Sequence, residues 1–395
     1  MPAIILLVLV CATLSSTLPI HLLVPVLPQV QGDLGIGPAS VQWAITAYLV
    51  GLAGGQLILG PLSDGIGRKP VLLAGMALYC AATIGVAGAQ DLVQLVGARL
   101  LQGIGGCAGL VLGRAMVRDL SQARSSTRSL ALLSTAMSLS PGLAPVIATI
   151  VAPAIGWRHM LHALAAVMAV LLIVATIVLP ETWRGRRDGL SADLRAYASV
   201  LRDATFLRIC LGGACMTTGM YAFVANAAYI LNDSFGVPLT RSGPFYFVIM
   251  TSITVGGLSM IALGPRIRSA SRLAAIGAAM LVAGLASIAA SRMPTHPLSL
   301  YMAAIMAFGL LVGIASPIAM SAALEAVPGR TGAASGVYGS CQMLLGAVLV
   351  ATLGILPGPP EIATGITLVL ASVVAILCFH FRRGLGYDRS ADRAE

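Results

Sequence analysis

Charge is scarce in this chain. Of its 395 residues only 10% are charged and 58% are hydrophobic, and the mean hydropathy is +0.93. A soluble domain carries about 25% charged residues. A polar shell cannot be assembled from so few, so the expected solvent is lipid. The net charge of +10 does not signal a nucleic-acid partner, because Lys and Arg fall in short gaps between apolar runs. No basic stripe is interleaved with aromatics.

Other absences exclude further classes. The seven cysteines, at 11, 80, 107, 210, 215, 341 and 378, all lie in apolar segments. None has metal-ligand spacing with a histidine, so neither a disulfide framework nor a metal site is expected. A phosphate-cradling Walker loop is missing, so ATP is not the direct energy source. No basic region precedes the first apolar run, which reads as a retained helix rather than a cleaved signal. His159 and His162 form a close pair, yet no carboxylate or cysteine in sequence reach completes a catalytic set. No enzyme and no cofactor are expected. Finally, all fourteen acids fall in gaps, at the ends of apolar runs or in the tail.

What is present is long apolar runs. A membrane helix needs about 20 largely apolar residues. Twelve runs qualify: 3–28, 40–62, 70–89, 92–115, 129–152, 158–180, 206–231, 241–263, 271–290, 298–322, 331–354 and 361–381. They are about twice as long as the ~10-residue alternating strands of a membrane barrel, so helices are expected. If the first gap lies outside, nineteen basic residues fall on the opposite side and three, Arg158, Arg241 and Arg292, on the same side. The positive-inside rule then places both termini in the cytoplasm.

The chain also repeats. Gly60-Pro61 ends the second run and Gly264-Pro265 the eighth, and a basic gap follows each. Arg128 and Arg330 open the fifth and eleventh runs. The expected organisation is a six-helix half over 1–182, a cytoplasmic connector over 183–205, a second half over 206–381 and a cytoplasmic tail over 382–395. An even number of spans per half makes the repeats parallel, with a substrate site between them near the midplane.

The most specific segment is Gly60-Pro61-Leu62-Ser63-Asp64-Gly65-Ile66-Gly67-Arg68-Lys69. A carboxylate there can sit against a helix N-terminus and pair with Arg68 or Arg118, while Gly65 and Gly67 allow a tight reversal. These contacts suit a gate at the cytoplasmic face. The loop resembles the signature loop of the major facilitator superfamily, with Asp64, Gly67, Arg68 and Lys69 at matching positions. Arg99-Leu100-Leu101-Gln102-Gly103 resembles the helix 4 motif of its drug exporters. Pro141-Gly142-Leu143-Ala144-Pro145 resembles the helix 5 motif of its antiporters. Gly156-Trp157-Arg158 and Pro180-Glu181-Thr182 match the two ends of helix 6. Val117-Arg118-Asp119 and Gly332-Ala333-Ala334-Ser335-Gly336 fit the bicyclomycin- and chloramphenicol-resistance branch.

The resemblance implies an all-α membrane protein with twelve helices in the major facilitator fold. It also implies a monomeric inner-membrane exporter of small amphiphilic drugs, exchanging them for protons by alternating access. Asp64, Gly67, Arg68, Lys69, Arg118, Asp119, Pro141, Gly142 and Pro145 are the expected gating and bending residues. Arg99 is linked to proton coupling in the family. The branch has an acid in helix 1 where this chain has His21, so His21, Arg99 and Asp33 are the proton-coupling candidates. An arginine of the branch is replaced by Gly65. Arg114, lower in helix 4, reads as an anchor at the inner surface. Tyr48, Tyr221, Asn226, Tyr229, Tyr246, Tyr338 and Gln342 are candidate substrate contacts, since aromatics combine apolar area with a polar handle. An importer of a small metabolite would use the same fold; the proline/glycine motif of the fifth run favours export.

Overall fold

The computed structural model describes residues 2–120, 123–183, 190–263, 272–295, 297–356 and 358–380. Eleven helices among them are long and apolar enough to cross a membrane, and a bent pair at the start makes a twelfth. The chain is a multi-pass membrane protein, and no strand occurs among the described residues.

The first span is not one helix. It comprises α1 (Ala3–Leu14), α2 (Leu18–Leu23), a 3-10 turn (Val24–Val26) and α3 (Leu27–Leu34), with a 48° bend after α1. Apolarity alone predicts a continuous run. Pro19, Pro25 and Pro28 each remove a backbone donor, and the Ser15 and Ser16 hydroxyls donate back to the Ala12 and Thr13 carbonyls at 2.7 and 2.8 Å. Those bonds satisfy the carbonyls at the break within a region that has no water to spare.

The remaining spans of the first half are α4 (Pro38–Ile66), α5 (Arg68–Gly88), α6 (Leu92–Leu120), α7 (Ala123–Ile155) and α8 (Trp157–Val178). Pro61 was expected to end the second span, but α4 continues through it to Ile66. Asp64 therefore sits in the last helical turn and not in a loop. The reversal is at Gly67, whose φ of +117° is open to glycine at little cost.

The connector contains a helix, α9 (Leu190–Leu201). The second half follows as α10 (Ala204–Thr218), α11 (Met220–Tyr229) with a π turn over Ile230–Ser234, α12 (Leu239–Leu263), α13 (Leu273–Arg292), α14 (Leu298–Ala326), α15 (Thr331–Leu353) and α16 (Pro360–His380). The expected repeat of the first loop, Gly264-Pro265 with Arg266 and Arg268, lies outside the described residues, as does the tail 382–395.

Within each half helices are pressed together at glycines, α4 with α6 and α12 with α14 among them. A methyl group at Gly51 of α4 would collide with the Leu100 carbonyl oxygen on α6, and one at Gly103 with that of Tyr48. In the second half a methyl at Gly256 of α12 would meet the Leu310 carbonyl oxygen on α14, and one at Gly313 that of Ile253. Close backbone approach is how membrane helices associate without a hydrophobic driving force. The halves meet along two seams, α4 against α15 and α7 against α12.

Candidate transport cavity and gate

The end of the bundle that bears Arg68, Lys69, Arg118 and Arg330 is termed the basic end. There the helix ends of the first half are tied into one cluster. Arg68 opens α5, and its Nη2 lies 2.7 Å from Asp64 Oδ1 and its Nε 3.4 Å from Asp119 Oδ2. Its Nη1 donates to Ser63 Oγ at 2.5 Å. Asp119 also accepts from Thr182 Oγ1 at 3.2 Å. Asp64 thus takes Arg68 as its partner, and Arg118 faces the cavity described below.

Glu181, which motif matching noted but gave no role, anchors the same cluster. It accepts from the backbone N–H groups of Arg68 at 3.0 Å and Lys69 at 3.2 Å. The N–H groups of Thr182 and Trp183 add two more, at 2.8 and 2.9 Å. Partial burial pushes its carboxyl up, but these four donors outweigh that and hold it below the usual carboxylate range. A carboxylate at the start of α5 also meets the positive end of that helix. Lys69 Nζ donates to the Thr176 carbonyl at 2.8 Å. Every contact in this cluster is internal to the first half, so its chemistry is that of a strut joining α4, α5, α6 and α8.

Above it, between the halves, lies a cavity of about 410 Å³. Gln56, Asp64, Arg114 and Arg118 line it from the first half, Met320, Tyr338, Gln342 and Met343 from the second, and Tyr197 from α9. Gln342 Nε2 donates to Thr217 Oγ1 at 2.7 Å, which fixes its amide at the wall. Tyr338 is buried with its hydroxyl against Gly213. Tyr197 packs against Gly336 and lies near Gly60, bridging α4 and α15.

The opposite end is tied across the halves. Gln42 of α4 donates from Nε2 to Asn226 Oδ1 at 2.9 Å and to the Ala225 carbonyl at 3.2 Å, both on α11. Asn226 in turn donates to Thr364 Oγ1 at 3.2 Å. Tyr229 donates to Gln31 Oε1 at 2.8 Å. Two expected substrate contacts, Asn226 and Tyr229, thus bridge the two halves at this end. Along the other seam, Gly142 faces Met250 and Phe247, and Pro141 and Pro145 lie inside α7.

The other candidates lie elsewhere. Arg99 is 1% exposed. It donates to the Ala44 carbonyl at 3.1 Å and to Gln102 Oε1 at 2.6 Å. Gln102 passes the chain on to Thr83 Oγ1 at 2.8 Å. The guanidinium sits 4.2 Å from the Tyr48 ring centroid, and Tyr48 donates to the Ser16 carbonyl at 2.9 Å. Tyr48 thus supports Arg99 and the break in the first span, away from the cavity lining. His21 is buried in α2, and its Nδ1 has no hydrogen-bond partner among the described residues. Asp33 closes α3, where it accepts from Trp157 Nε1 at 2.7 Å and lies 3.6 Å from Arg158 Nε. Tyr221 packs on Gly346, and Tyr246 is buried.

Two features were not singled out from sequence. Glu361 opens α16, is 5% exposed and accepts from Ser234 Oγ at 2.5 Å; an acid at the edge of an apolar run looks like a solvated cap. Gln42 and Gln31 lack a motif, and only the meeting of the two halves reveals them.

The major facilitator superfamily profile matches residues 5–351. An uncharacterized MFS-type transporter of Bacillus subtilis, YdgK, is 29% identical over 369 residues, covering 92% of this chain and 91% of the relative. A chloramphenicol resistance protein of Pseudomonas aeruginosa is 28% identical over 348 residues, 87% of this chain and 81% of the relative. Among solved structures, a bacterial homolog of the human lysosomal transporter Spinster superposes with a TM-score of 0.73 at 15% identity, covering 95% of this chain and 96% of the other. These likenesses are to transporters and not to enzymes. The twelve-span, two-lobed architecture and the profile match together place the chain in the major facilitator superfamily.

Proposed function

We propose that this protein exports small amphiphilic compounds, of the chloramphenicol and bicyclomycin kind, across the bacterial inner membrane in exchange for protons. The observation that carries the reading is the asymmetry between the two ends. A cavity lined from both halves lies at the basic end, while side-chain bonds tie the halves together at the other. Two bodies that close at one end and part at the other are what alternating access needs. With the basic end in the cytoplasm, as the positive-inside rule directs, the cavity faces the cytoplasmic supply of drug. Both termini are then cytoplasmic, and one chain suffices.

The moving bodies are residues 1–182 and 206–381, joined by 183–205 with a tail over 382–395. The Asp64–Arg68–Asp119 cluster, with Gly67, Lys69 and Glu181, keeps the first body rigid as it moves. Arg118 contacts the cavity. Pro141, Gly142 and Pro145 let α7 bend along the α7–α12 seam. Tyr338 and Gln342 contact substrate, and His21 with Arg99 serves the proton path. Resistance relatives such as the Pseudomonas aeruginosa protein support export.

The test is accumulation of chloramphenicol in cells expressing the protein, with and without an uncoupler. Lower accumulation that the uncoupler abolishes is expected. Higher accumulation on expression would overturn the export reading in favour of import.

A further inference from the structure

The charge of the cavity carries information on what it takes. Its lining holds three arginines, Arg68, Arg114 and Arg118, and one acid, Asp64. That acid is already engaged with Arg68 at 2.7 Å, and Arg68 has Asp119 as a second carboxylate partner at 3.4 Å. Among the described residues Arg114 has no such partner. Its Nη2 reaches Met137 Sδ on α7 at 3.5 Å, and a thioether is a weak acceptor.

Arg114 and Arg118 lie four residues apart on α6, which places them on one helix face, about one turn apart. Two guanidiniums stacked this way repel each other, and low-dielectric walls focus their field into the space they share. The bland alternative is an arginine snorkelling to a lipid headgroup. Arg114 instead reaches towards α7, in a space walled on its far side by α14 and α15 of the other half. Arg114 is exposed to this cavity, and an arginine within a membrane span that has no carboxylate partner among the described residues usually marks a ligand path.

We infer that, among charged amphiphiles, the cavity selects anionic over cationic ones, with a carboxylate or sulfonate received between Arg114 and Arg118, while uncharged compounds such as chloramphenicol still enter. The apolar body of the ligand lies against Met137, Met320 and Met343, whose flexible thioethers adapt to varied shapes. Cationic amphiphiles are excluded by the same field. A volume of about 410 Å³ falls in the ordinary range for small-molecule sites, roughly 300–1,000 Å³, and accommodates a body of a few fused rings. This inference rests on the transporter reading only for where the cavity leads, so binding is measured apart from transport.

Fluorescein and rhodamine 123 share a three-ring frame and carry opposite charge at slightly alkaline pH. Their binding to the purified full-length protein in lipid nanodiscs is followed by fluorescence anisotropy. Fluorescein is expected to bind at least about tenfold more tightly than rhodamine 123, a difference set by one close charge contact. Arg114→Gln weakens fluorescein at least about tenfold and does not weaken rhodamine 123, while Arg114→Lys retains most of the affinity because the charge stays. Rhodamine 123 binding as tightly as fluorescein would overturn the inference. So would an Arg114→Gln protein with a wild-type gel-filtration profile and unchanged fluorescein affinity. If that variant does not fold, the wild-type comparison and Arg118→Gln decide the matter by the same criteria. Fluorescein bound but not expelled from cells would count against export alone. Uncoupler-sensitive export of rhodamine 123 with no fluorescein binding would sink anion selection and leave export standing.

Discussion

Cutting the bonds that close the end opposite the cavity should change the conformational balance by a calculable amount. Gln42→Leu keeps the side-chain volume but removes two donations, to Asn226 Oδ1 at 2.9 Å and to the Ala225 carbonyl at 3.2 Å. In a membrane interior, side-chain hydrogen bonds average about 0.6 kcal/mol and reach about 1.7. Two of them give roughly 1–3 kcal/mol, because the buried acceptors left behind also lose solvation. If the parted arrangement satisfies those acceptors with water, the ratio of open to closed molecules rises about 5- to 150-fold. Ala39 and Gly354 face each other across this seam; a methyl built on Gly354 lies 3.4 Å from Ala39 Cβ. Spin labels at these two positions, in a background with the seven native cysteines replaced, report the separation by pulsed electron resonance. A long-distance population that grows in Gln42→Leu, and grows again when Tyr229→Phe is added, is expected. A double-mutant cycle with Asn226→Ala should show coupling, since each single change breaks the same bond. A distance distribution identical to wild type in Gln42→Leu would refute the claim that these bonds hold the end shut.

Three further outcomes follow from the geometry. Gly103→Ala places a methyl against the Tyr48 carbonyl oxygen; backbone cannot yield as a side chain can, so melting temperature should fall by an amount equivalent to about 1–3 kcal/mol or more, read by thermal gel filtration. Glu181→Gln removes the charge that collects four N–H groups, two at the start of α5 and two from Thr182 and Trp183. Because that carboxyl is held below its ordinary value of 4.5, wild type should melt higher than the variant at neutral pH. The advantage should be lost only as pH falls below 4.5 through the lower folded value. Arg68→Ala leaves Asp64 and Asp119 without their shared cation and should abolish transport; unchanged transport would show that the strut is dispensable.

How much of this was legible beforehand depends on the length scale of the signal. The spans were legible because lipid imposes a length and an apolarity that no local detail can hide. The motif segment was legible in part: Asp64 and Arg68 are close in sequence, but the choice between Arg68 and Arg118 was left open and the continuation of α4 through Pro61 was not expected. What was lost is whatever depends on which way a helix faces. Tyr48 reads like Tyr338 in sequence, yet one stacks under Arg99 and the other lines the cavity. Gln42 and Asn226 are 184 residues apart, and their bond exists only because two halves meet. The break at Ser15 to Thr17 was missed because the run was read by its length and overall apolarity, although the polar Ser15-Ser16-Thr17 cluster and Pro19, Pro25 and Pro28 were in plain view. Arg114 looked like an anchor because it lies near the basic end; only its neighbours show that it faces inwards.

For the proposed exchange with protons, the same reasoning leaves one residue worth testing. Arg99 is the most buried charge, but an arginine does not release its proton in a protein, and its described partners are a carbonyl, an amide and a ring, none of which exchanges a proton readily. Asp33 is bound to Trp157 and Arg158 at one end of the bundle, and Asp64 to Arg68 at the other. His21 remains: it is buried in the kinked first span, its Nδ1 is unpartnered among the described residues, and a neutral imidazole, unlike a guanidinium, can take up and release a proton. Gln is close to it in size and polarity but carries no exchangeable charge. His21→Gln should therefore retain ligand binding and downhill movement of substrate while losing export against a gradient and the response to an uncoupler. Loss of binding as well would assign His21 to the architecture of the first span. Full uncoupler-sensitive export in His21→Gln would remove it from the proton path and return the question to Asp64, whose release from Arg68 would then have to be part of the transport cycle.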